Sequence, residues 1–514
     1  MGVIIRQGFK STIASYTGML LGMLNLVFLY PKFLDEDQFG LTRVLFDTST
    51  LFLSFAMLGT GTIINRYFPW FRDEEQKNNG FLFFVLAYPT VGFTLFAVVF
   101  FLAKGLYLEA YAEKSPLLVE YYYFLPLMMA FMVYQKVFEN YCRAYKRTFP
   151  PAMVREVGVK ILNAAVVLLY AYDVVNFYEF LWLLAAVYGV ASLVLFVYVK
   201  QQGWLFLRPN FRRVNRKMVQ AMASYGFWTL LGGLGTILAF RVDSLMIPAY
   251  IDLEAVAIYS VALGITRLIE FPRNNLVQIA IPIVAEQVKN DDRTGLAELY
   301  RKSALNMLIV AAMMFLILWT NLVDFYTLIP KNEVYEAGRW VALIIMLSRV
   351  LENTTGVANE IVLYSNLYRY YIYLMAILAA VNIGLNALLI PAFGLEGAAL
   401  ATGAAILISS GFRYLLILRR FRVQPFSRKM LPVLLIAAAI YGVVYGLLPP
   451  AGQGWLQFSW LEHKLATVGL ILFRGGIVAG LYVLLLYRSR LSADFNGLVD
   501  TLLDRLRGLV GYRK

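Results

Sequence analysis

Apolar runs of about 20 residues recur along almost the whole chain, and they constrain its fold more than any other feature. A helix of about 20 residues crosses the hydrocarbon core of a bilayer, so each run is long enough to form one transmembrane segment. Hydrophobic residues make up 60% of the chain and charged residues 15%, a balance that excludes a soluble enzyme. The sequence therefore predicts an all-α polytopic membrane protein.

Fourteen such runs can be separated, and we predict a transmembrane helix from each. The predicted spans are residues 12–33, 41–66, 81–103, 117–141, 154–172, 177–199, 223–249, 255–285, 303–327, 335–363, 370–391, 396–418, 430–449 and 465–487. Twelve of these divide into two six-helix halves, and two more follow at the C-terminal end.

A charged phrase that occurs in both halves indicates an internal duplication. The sequence Lys-Val-Phe-Glu-Asn at 136–140 recurs as Arg-Val-Leu-Glu-Asn at 349–353, and at the same offset Gly22 falls on Gly235. Because six is an even number, both copies of a six-helix unit enter the membrane with the same orientation, which is typical of a parallel repeat. We expect two lobes related by an axis along the membrane normal.

The repeat and the loop lengths predict five segments. They are an N-terminal six-helix lobe (1–200), a cytoplasmic basic linker (201–221), a C-terminal six-helix lobe (222–420), two appended transmembrane helices (421–488) and an interfacial amphipathic tail (489–514). In the tail, leucines at helical spacing lie close to arginines, which favours a helix in the membrane interface. We expect the protein to be a monomer.

The net charge of +14 is explained by the position of the basic residues. Most of the 46 Lys and Arg residues fall in the termini and in loops that share one side of the membrane, which places both termini in the cytoplasm. The heaviest cluster lies in the linker and contains Arg208, Arg212, Arg213, Arg216 and Lys217. We expect it to rest on anionic lipid headgroups. The partner implied is the lipid bilayer rather than nucleic acid.

Several kinds of chemistry are excluded by composition. Cys142 is the only cysteine and His463 the only histidine, which excludes disulfides, Cys/His metal sites and His-based nucleophilic catalysis. The sequence also lacks a Walker A loop and a dinucleotide-binding glycine pattern. We therefore predict no cofactor, no metal and no catalytic residue, and transport driven by a gradient or a partner.

Ionisable side chains inside the spans are costly in hydrocarbon and indicate a partner or a function. The candidate bases within spans are Arg43, Lys136, Lys160, Arg241, Arg267, Arg273, Arg349, Arg413 and Arg474, and the candidate acids are Asp47, Glu139, Asp243, Glu270, Glu352 and Glu360.

Helical spacing predicts that many of these groups pair locally. The predicted pairs, three or four residues apart, are Arg43 with Asp47, Lys136 with Glu139, Arg267 with Glu270, and Arg349 with Glu352. Such pairs either neutralise charge for insertion or line a polar path. We expect Arg413, Arg474 and Lys160 to snorkel toward an interface, and Arg273 to lack a free acidic neighbour.

Several passages resemble a known family. They are Asn-Ile-Gly-Leu-Asn-Ala-Leu-Leu-Ile-Pro at 382–391, Ala-Phe-Gly-Leu-Glu-Gly-Ala-Ala-Leu-Ala-Thr at 392–402, Arg-Val-Asp-Ser at 241–244 and Ala-Ile-Tyr-Ser-Val-Ala at 257–262. Over essentially its whole length the chain resembles the polysaccharide transporter branch of the multidrug/oligosaccharidyl-lipid/polysaccharide flippase superfamily. Pro391 and Gly394 are expected to end one helix before the next begins.

The resemblance implies a flippase rather than an enzyme. It would move a polyprenyl-diphosphate-linked oligosaccharide from the inner to the outer leaflet of the bacterial cytoplasmic membrane, for a surface polysaccharide such as O-antigen or capsule. Lobes that rock around a central cavity would provide alternating access, with Lys136, Glu139, Arg349 and Glu352 facing the cavity.

Because diphosphate is an anion, we expect basic side chains to bind it. Our first candidates are Arg267 and Arg273, on either side of Pro272, whose bend would let both reach one diphosphate. The other candidates are Lys136, Arg349, Arg241 and Lys160.

Acids in the seventh and tenth helices couple transport to protons or sodium in related drug antiporters. Asp243 and Glu352 occupy the corresponding helices here, and Glu139, Glu270 and Asp47 are further candidates for ion coupling. A base lies beside both Asp243 and Glu352 in sequence, which favours their charged forms and weakens a role in proton coupling.

Two alternatives belong to other functional classes. A multidrug or cation antiporter would share the fold, but the excess of bases in the spans argues against cationic cargo. A membrane-embedded glycosyltransferase or polymerase is suggested by the acids at 35–37, although helix capping explains these and the acids at 252 and 254 equally well. Polysaccharide polymerases and glycosyltransferases are also possible partners of a flippase.

Overall fold

The apolar segments of the first half form helices whose ends coincide with Pro, Gly and polar residues. The computed structural model describes residues 2–73, 77–208, 216–449 and 460–511. In chain order the first helices are α1 (Gly2–Leu24), α2 (Tyr30–Phe33), α3 (Glu36–Met57), α4 (Thr60–Phe71), α5 (Phe81–Leu102), α6 (Lys104–Tyr111), α7 (Pro116–Glu120), α8 (Phe124–Ala144), α9 (Phe149–Ala152), α10 (Val159–Ala171) and α11 (Phe177–Gln201). Two π-helical segments, Asn25–Leu29 and Met153–Gly158, connect α1 to α2 and α9 to α10.

The second half continues in the same way. Its helices are α12 (Arg216–Arg241), α13 (Asp243–Tyr250), α14 (Leu253–Lys289), α15 (Arg293–Leu328), α16 (Asn332–Tyr335), α17 (Arg339–Asn353), α18 (Ala358–Tyr364), α19 (Tyr368–Phe421), α20 (Met430–Leu447), α21 (Trp460–Ser489) and α22 (Ala493–Gly511). Short 3-10 turns cover Lys77–Gly80 and Glu336–Gly338. All regular structure in the described ranges is helical.

Every predicted span overlaps a helix or a pair of consecutive helices. Within the described residues, eight helices are long and apolar enough to cross a membrane, or up to ten if each of two bent pairs is one span. The protein is therefore multi-pass, while the count of fourteen and the orientation of the termini stay predictions. The predicted end of one helix before the next lies at Gly394, where the backbone of α19 is not helical, with φ 59° and ψ −133°, whereas the helix continues through Pro391.

The chain divides into two compact units. The first comprises Met1–Ser260 and Met375–Gly394, and the second comprises Val261–Leu374 and Leu395–Lys514. This division does not test the five predicted segments, which stay a prediction. Arg212 and Arg213 of the predicted linker lie outside the described residues.

In the first unit, the second predicted span is broken into α3 and α4. The two helices meet at an angle of 41°, and the break consists of Leu58 and Gly59, both with positive φ. The backbone of α12 lies directly against this break at Gly226, where an added Cβ would stand 2.5 Å from the carbonyl oxygen of Leu58. A glycine is required there because two backbones touch.

The start of α3 is fixed by a capping box formed by Asp35 and Gln38. Asp252 similarly accepts a hydrogen bond of 2.7 Å from the backbone amide of Ala255 at the start of α14. These contacts satisfy backbone amides that would otherwise be unpaired at a helix start. Capping is therefore confirmed for both aspartates.

In the second unit, α15 packs against α17, α20 and α21. The tenth predicted span is broken between α17 and α18, which meet at 58°, and Gly356 in this break lies against the backbone of Ala304. Arg474 of α21 forms an ion pair with Asp324 of α15, and the two side chains are 3% and 0% exposed. Asn306 of α15 also donates a hydrogen bond of 2.9 Å to Asp494 of α22. Both α21 and α22 therefore make polar contacts with α15.

The contact at Gly226 leads us to predict the effect of one substitution on stability. Replacing Gly226 by Ala should destabilise the fold by about 1–3 kcal/mol, because the methyl group meets backbone rather than a movable side chain. Thermal unfolding of the purified protein in detergent would measure this. Gly442→Ala in α20 is the matched control, since nothing lies within 4 Å of its added Cβ. Equal melting temperatures for the two variants would contradict the contact.

Candidate functional site

Glu139 of α8 organises the charged residues of the first unit. Its side chain is 2% exposed and forms ion pairs with Lys136 at 3.2 Å, with Arg143 and with Arg155. Lys136 and Arg143 lie one turn before and after it on the same helix face, as helical spacing requires. The three bases are 37–39% exposed. One buried carboxylate thus holds three cations whose remaining donors reach the surface.

Arg155 comes from the π-helical segment Met153–Gly158, in which no residue is buried. It also pairs with the adjacent Glu156 at 2.8 Å, and Glu156 pairs with Lys160 at 2.9 Å. Together Lys136, Glu139, Arg143, Arg155, Glu156 and Lys160 are called the Glu139 cluster. Four bases face two acids in it, so the cluster carries an excess of positive charge.

Small residues of α1 allow it to approach this segment. An added Cβ on Gly18 would collide with the backbone of Glu156, and one on Gly22 would lie 3.3 Å from the side chain of Lys160. Asn25 donates a hydrogen bond of 2.7 Å to the carbonyl oxygen of Lys160. Close packing of glycines is a common way to join membrane helices, and here it fixes the helix that carries Arg155 and Lys160.

Glu352 of α17 has the equivalent role in the second unit. Its carboxylate lies 2.8 Å from Arg349, 3.5 Å from Arg413 of α19 and 4.0 Å from Arg273 of α14. Arg349 also pairs with Glu270 at 2.7 Å. Together Glu270, Arg273, Arg349, Glu352 and Arg413 are called the Glu352 cluster.

The Glu352 cluster leaves hydrogen-bond donors unused. In the described part of the chain, the Nε atoms of Arg273 and Arg413 are buried without a hydrogen-bond partner. A buried donor without a partner is costly, and a guanidinium group matches the oxygens of a phosphate or carboxylate. With three arginines and two glutamates, the cluster also carries an excess of positive charge.

A third group surrounds Asp47 of α3. Arg43 lies 3.4 Å from its carboxylate, Arg241 forms a second ion pair with it, and Ser244 donates a hydrogen bond of 2.9 Å. Arg241, predicted to bind substrate, is thus tied to an acid of another helix. Asp47 joins α3 to the junction of α12 and α13.

Asp243 lies in a different environment from the other acids. It is 4% exposed and accepts hydrogen bonds from the hydroxyl group of Tyr259 at 2.7 Å and from the amide of Asn386 at 3.0 Å. Asn386 also donates to the carbonyl oxygen of Asn382 at 2.9 Å. These two donors are neutral side chains.

The structure confirms some predicted pairs and corrects other expectations. The ion pairs within 43–47, 136–139 and 349–352 are present, while Glu270 pairs with Arg349 on another helix. The expectation that Arg273 lacks an acidic neighbour is wrong because of Glu352. Arg413 and Arg474 do not snorkel, since they are 7% and 2% exposed and pair with acids. Arg267, by contrast, has an exposed side chain on α14.

Sequence reasoning missed four residues of this architecture, namely Arg143, Arg155, Glu156 and Asp324. Arg155 and Glu156 lie at the edge of the fifth predicted span, and Asp324 lies within the ninth. A complete count of charges at span edges could have found them. In the described ranges no group of three or more His, Cys, Asp or Glu side chains is arranged to hold a metal ion.

The Glu352 cluster makes a prediction about stability. Glu352→Gln removes the negative charge with which three arginines form ion pairs. The free energy of unfolding should therefore fall by about 3–5 kcal/mol, as when one partner of a buried ion pair is removed. Thermal unfolding in detergent would measure the loss. Glu298→Gln, at an exposed pair with Lys302, should leave the melting temperature nearly unchanged. A stable Glu352→Gln protein would show that the arginines do not need this carboxylate.

Comparison with known proteins identifies a family and relatives that this chain resembles. The family model described as polysaccharide biosynthesis protein matches residues 4–288, which is more than half of the chain. An uncharacterized membrane protein of Methanocaldococcus jannaschii is 21% identical over 484 residues, covering 89% of this chain and 90% of that protein.

Solved structures share the fold at low sequence identity. The lipid II flippase MurJ, in an inward closed conformation, matches with a TM-score of 0.67 and 13% identity, over 91% of this chain and 98% of that one. An inward-facing multidrug resistance MATE family transporter of the MOP superfamily matches with a TM-score of 0.61 and 14% identity, over 79% and 94%. A MOP superfamily transporter from Pyrococcus furiosus matches with a TM-score of 0.56 and 15% identity, over 82% and 95%.

These matches agree with the multi-pass helical architecture. The structural neighbours are flippases and transporters rather than enzymes. The chain belongs to the polysaccharide biosynthesis protein family, and its fold is similar to that of the lipid II flippase MurJ and of a MATE family transporter.

Proposed function

We propose that the protein flips a polyprenyl-diphosphate-linked oligosaccharide from the inner to the outer leaflet of a bacterial cytoplasmic membrane, for a surface polysaccharide of the O-antigen or capsule type. The observation that carries this proposal is the gathering of basic side chains around one buried carboxylate in each unit. Family membership supports a role in polysaccharide biosynthesis, and the lipid II flippase MurJ, which shares the fold, supports a lipid-linked substrate.

The chemistry of the substrate fits these clusters. The polyprenyl tail can stay in lipid, whereas the diphosphate and the sugars need a polar path through the hydrocarbon. Arginine and lysine donors bind phosphate oxygens strongly, and the carboxylates at the centre hold the bases apart in fixed positions. Cationic cargo would be repelled by the surplus of bases in the Glu139 cluster, which argues against a multidrug antiporter.

Arg273 is the better supported member of the predicted diphosphate pair. It lies 4.0 Å from Glu352, its side chain is 19% exposed, and its buried Nε atom has no hydrogen-bond partner among the described residues. Its contact with Glu352 is long enough that a phosphate can compete for it. The exposed Arg267 lies on the same helix and is proposed as the second ligand.

A reconstituted system tests the proposal. In proteoliposomes that contain a fluorescent polyprenyl-diphosphate oligosaccharide, Arg273→Ala and Arg267→Ala should each slow flipping at least tenfold, because diphosphate loses a bidentate donor. Lysine at either position should restore it only partly. A membrane-impermeant glycosidase would report the flipped fraction. Lys302→Ala is the matched control, since this base is exposed and paired with Glu298.

The result that would contradict the assignment is wild-type flipping by the double alanine variant at equal protein content. The diphosphate site would then move to Lys136 and Arg349. Absence of flipping by the wild-type protein in every lipid mixture would overturn the proposed function itself.

We further propose that Asp243 couples flipping to a proton or sodium gradient. It is buried in the first unit and accepts hydrogen bonds from Tyr259 and Asn386, so it is an acid held at a fixed position inside a helical unit. Glu139 and Glu352 are held by several bases each, which suits them to organise those bases. Asp47 lies between two arginines and has the same organising role.

Removing the charge of Asp243 tests this coupling. In Asp243→Asn proteoliposomes, an imposed proton or sodium gradient should no longer accelerate flipping, while the slow rate without a gradient stays. The flipping assay, run with and without each gradient, measures the effect. Asp291→Asn changes a carboxylate that is 74% exposed and should keep full stimulation. Unchanged stimulation in Asp243→Asn would exclude this residue.

A further inference from the structure

One face of α4 is polar and exposed although the helix belongs to a broken membrane span. Its buried face consists of Ile63, Ile64, Tyr67, Phe68 and Phe71. The opposite face exposes Thr62, Asn65, Arg66, Pro69 and Trp70, spaced three or four residues apart as on one side of a helix. A helix that only contacted lipid would show apolar side chains on that face.

Arg66 differs from the bases of the charged clusters. Its guanidinium group lies 4.3 Å above the ring of Tyr225 and 5.7 Å from that of Tyr67. In the ranges that the structure describes it has no ion pair with an acid. The aromatic rings hold the group in place through cation–π contacts and leave its five N–H donors available.

The helix α12 completes the surface. Tyr225 comes from α12, and Trp228, one turn further along, is 61% exposed. Thr229 and Thr62 are joined by a hydrogen bond of 2.8 Å between their hydroxyl groups. The contact of Gly226 with the break at Leu58 sets the two helices side by side. The surface is therefore built by two fixed helices rather than by a loop.

This combination of side chains matches a carbohydrate. A sugar ring has an apolar C–H face, which stacks on an aromatic ring, and a rim of hydroxyl groups, which planar guanidinium and amide groups can bind. Trp70 is 63% exposed and lies one turn from Arg66 on the same face, so both types of contact are available together. A diphosphate would instead favour several bases close together, as in the Glu139 cluster.

We propose that Thr62, Asn65, Arg66, Trp70, Tyr225 and Trp228 form a glycan-binding subsite that takes adjacent sugar rings of the lipid-linked substrate. The proposal rests on the proposed flippase function and adds the residues that recognise its sugar. It assigns stacking to Trp70 and Trp228, and hydrogen bonding of hydroxyl groups to Arg66 and Asn65.

Binding to two probes tests the subsite. The full-length protein in detergent is titrated with polyprenyl diphosphate that bears one N-acetylglucosamine and with bare polyprenyl diphosphate. Trp70→Ala and Arg66→Ala should each weaken binding of the sugar-bearing probe at least tenfold and leave binding of the bare probe unchanged. Trp70→Phe keeps an aromatic face and should retain most of the affinity.

The second unit offers a matched control. Arg339 lies 5.7 Å from the ring of Trp340, and Trp340 is 54% exposed, so this pair has the same chemistry at another place. Arg339→Ala and Trp340→Ala should leave binding of both probes unchanged. Melting temperatures of all variants identify loss of fold, and Asn65→Ala supplies a milder change in the same subsite.

Three other outcomes would overturn the proposal, each for a different reason. An equal loss for both probes in the Trp70 and Arg66 variants would assign these residues to the headgroup or the membrane interface. Unchanged binding of the sugar-bearing probe in both variants would exclude the subsite. If the wild-type protein bound neither probe, the flippase function would fail together with the subsite.

Discussion

A carboxylate buried among several bases is the interaction on which the rest of this structure depends. An isolated charge in hydrocarbon is costly, and so is a group of like charges. Glu139 and Glu352 remove much of that cost because each is close to three cations at once. The helices can therefore carry more bases than acids in segments that are otherwise apolar.

The two clusters share the arrangement of the glutamate and one nearby base, but they differ in their remaining bases. Both contain a base three residues before the glutamate, as the duplicated phrase requires. The remaining bases come from unrelated positions, namely Arg143 and Arg155 in one unit, and Arg273 and Arg413 in the other. Each unit thus reaches a similar local chemistry with different helices.

Much of the fold follows from the sequence because hydrophobic length determines where helices form. The local ion pair of Lys136 with Glu139 follows as well, since both residues lie on one helix face. The pairs of Glu270 with Arg349, of Arg241 with Asp47 and of Arg474 with Asp324 could not be predicted. They join helices that are far apart in sequence, and periodicity does not specify which helices become neighbours. The π-helical segment that presents Arg155 could not be predicted either, because periodicity does not show that Gly18 packs against it.

The ion pair between Asp324 and Arg474 has a consequence for synthesis of the protein. Asp324 belongs to α15, whereas its partner belongs to α21 and is translated much later. Until α21 enters the membrane, the aspartate lacks the cation of this pair, so it must be hydrated or stay near the translocation machinery. The order of translation therefore delays completion of the α15 environment, and ribosome stalling before Arg474 would leave a nascent chain in which this ion pair cannot form.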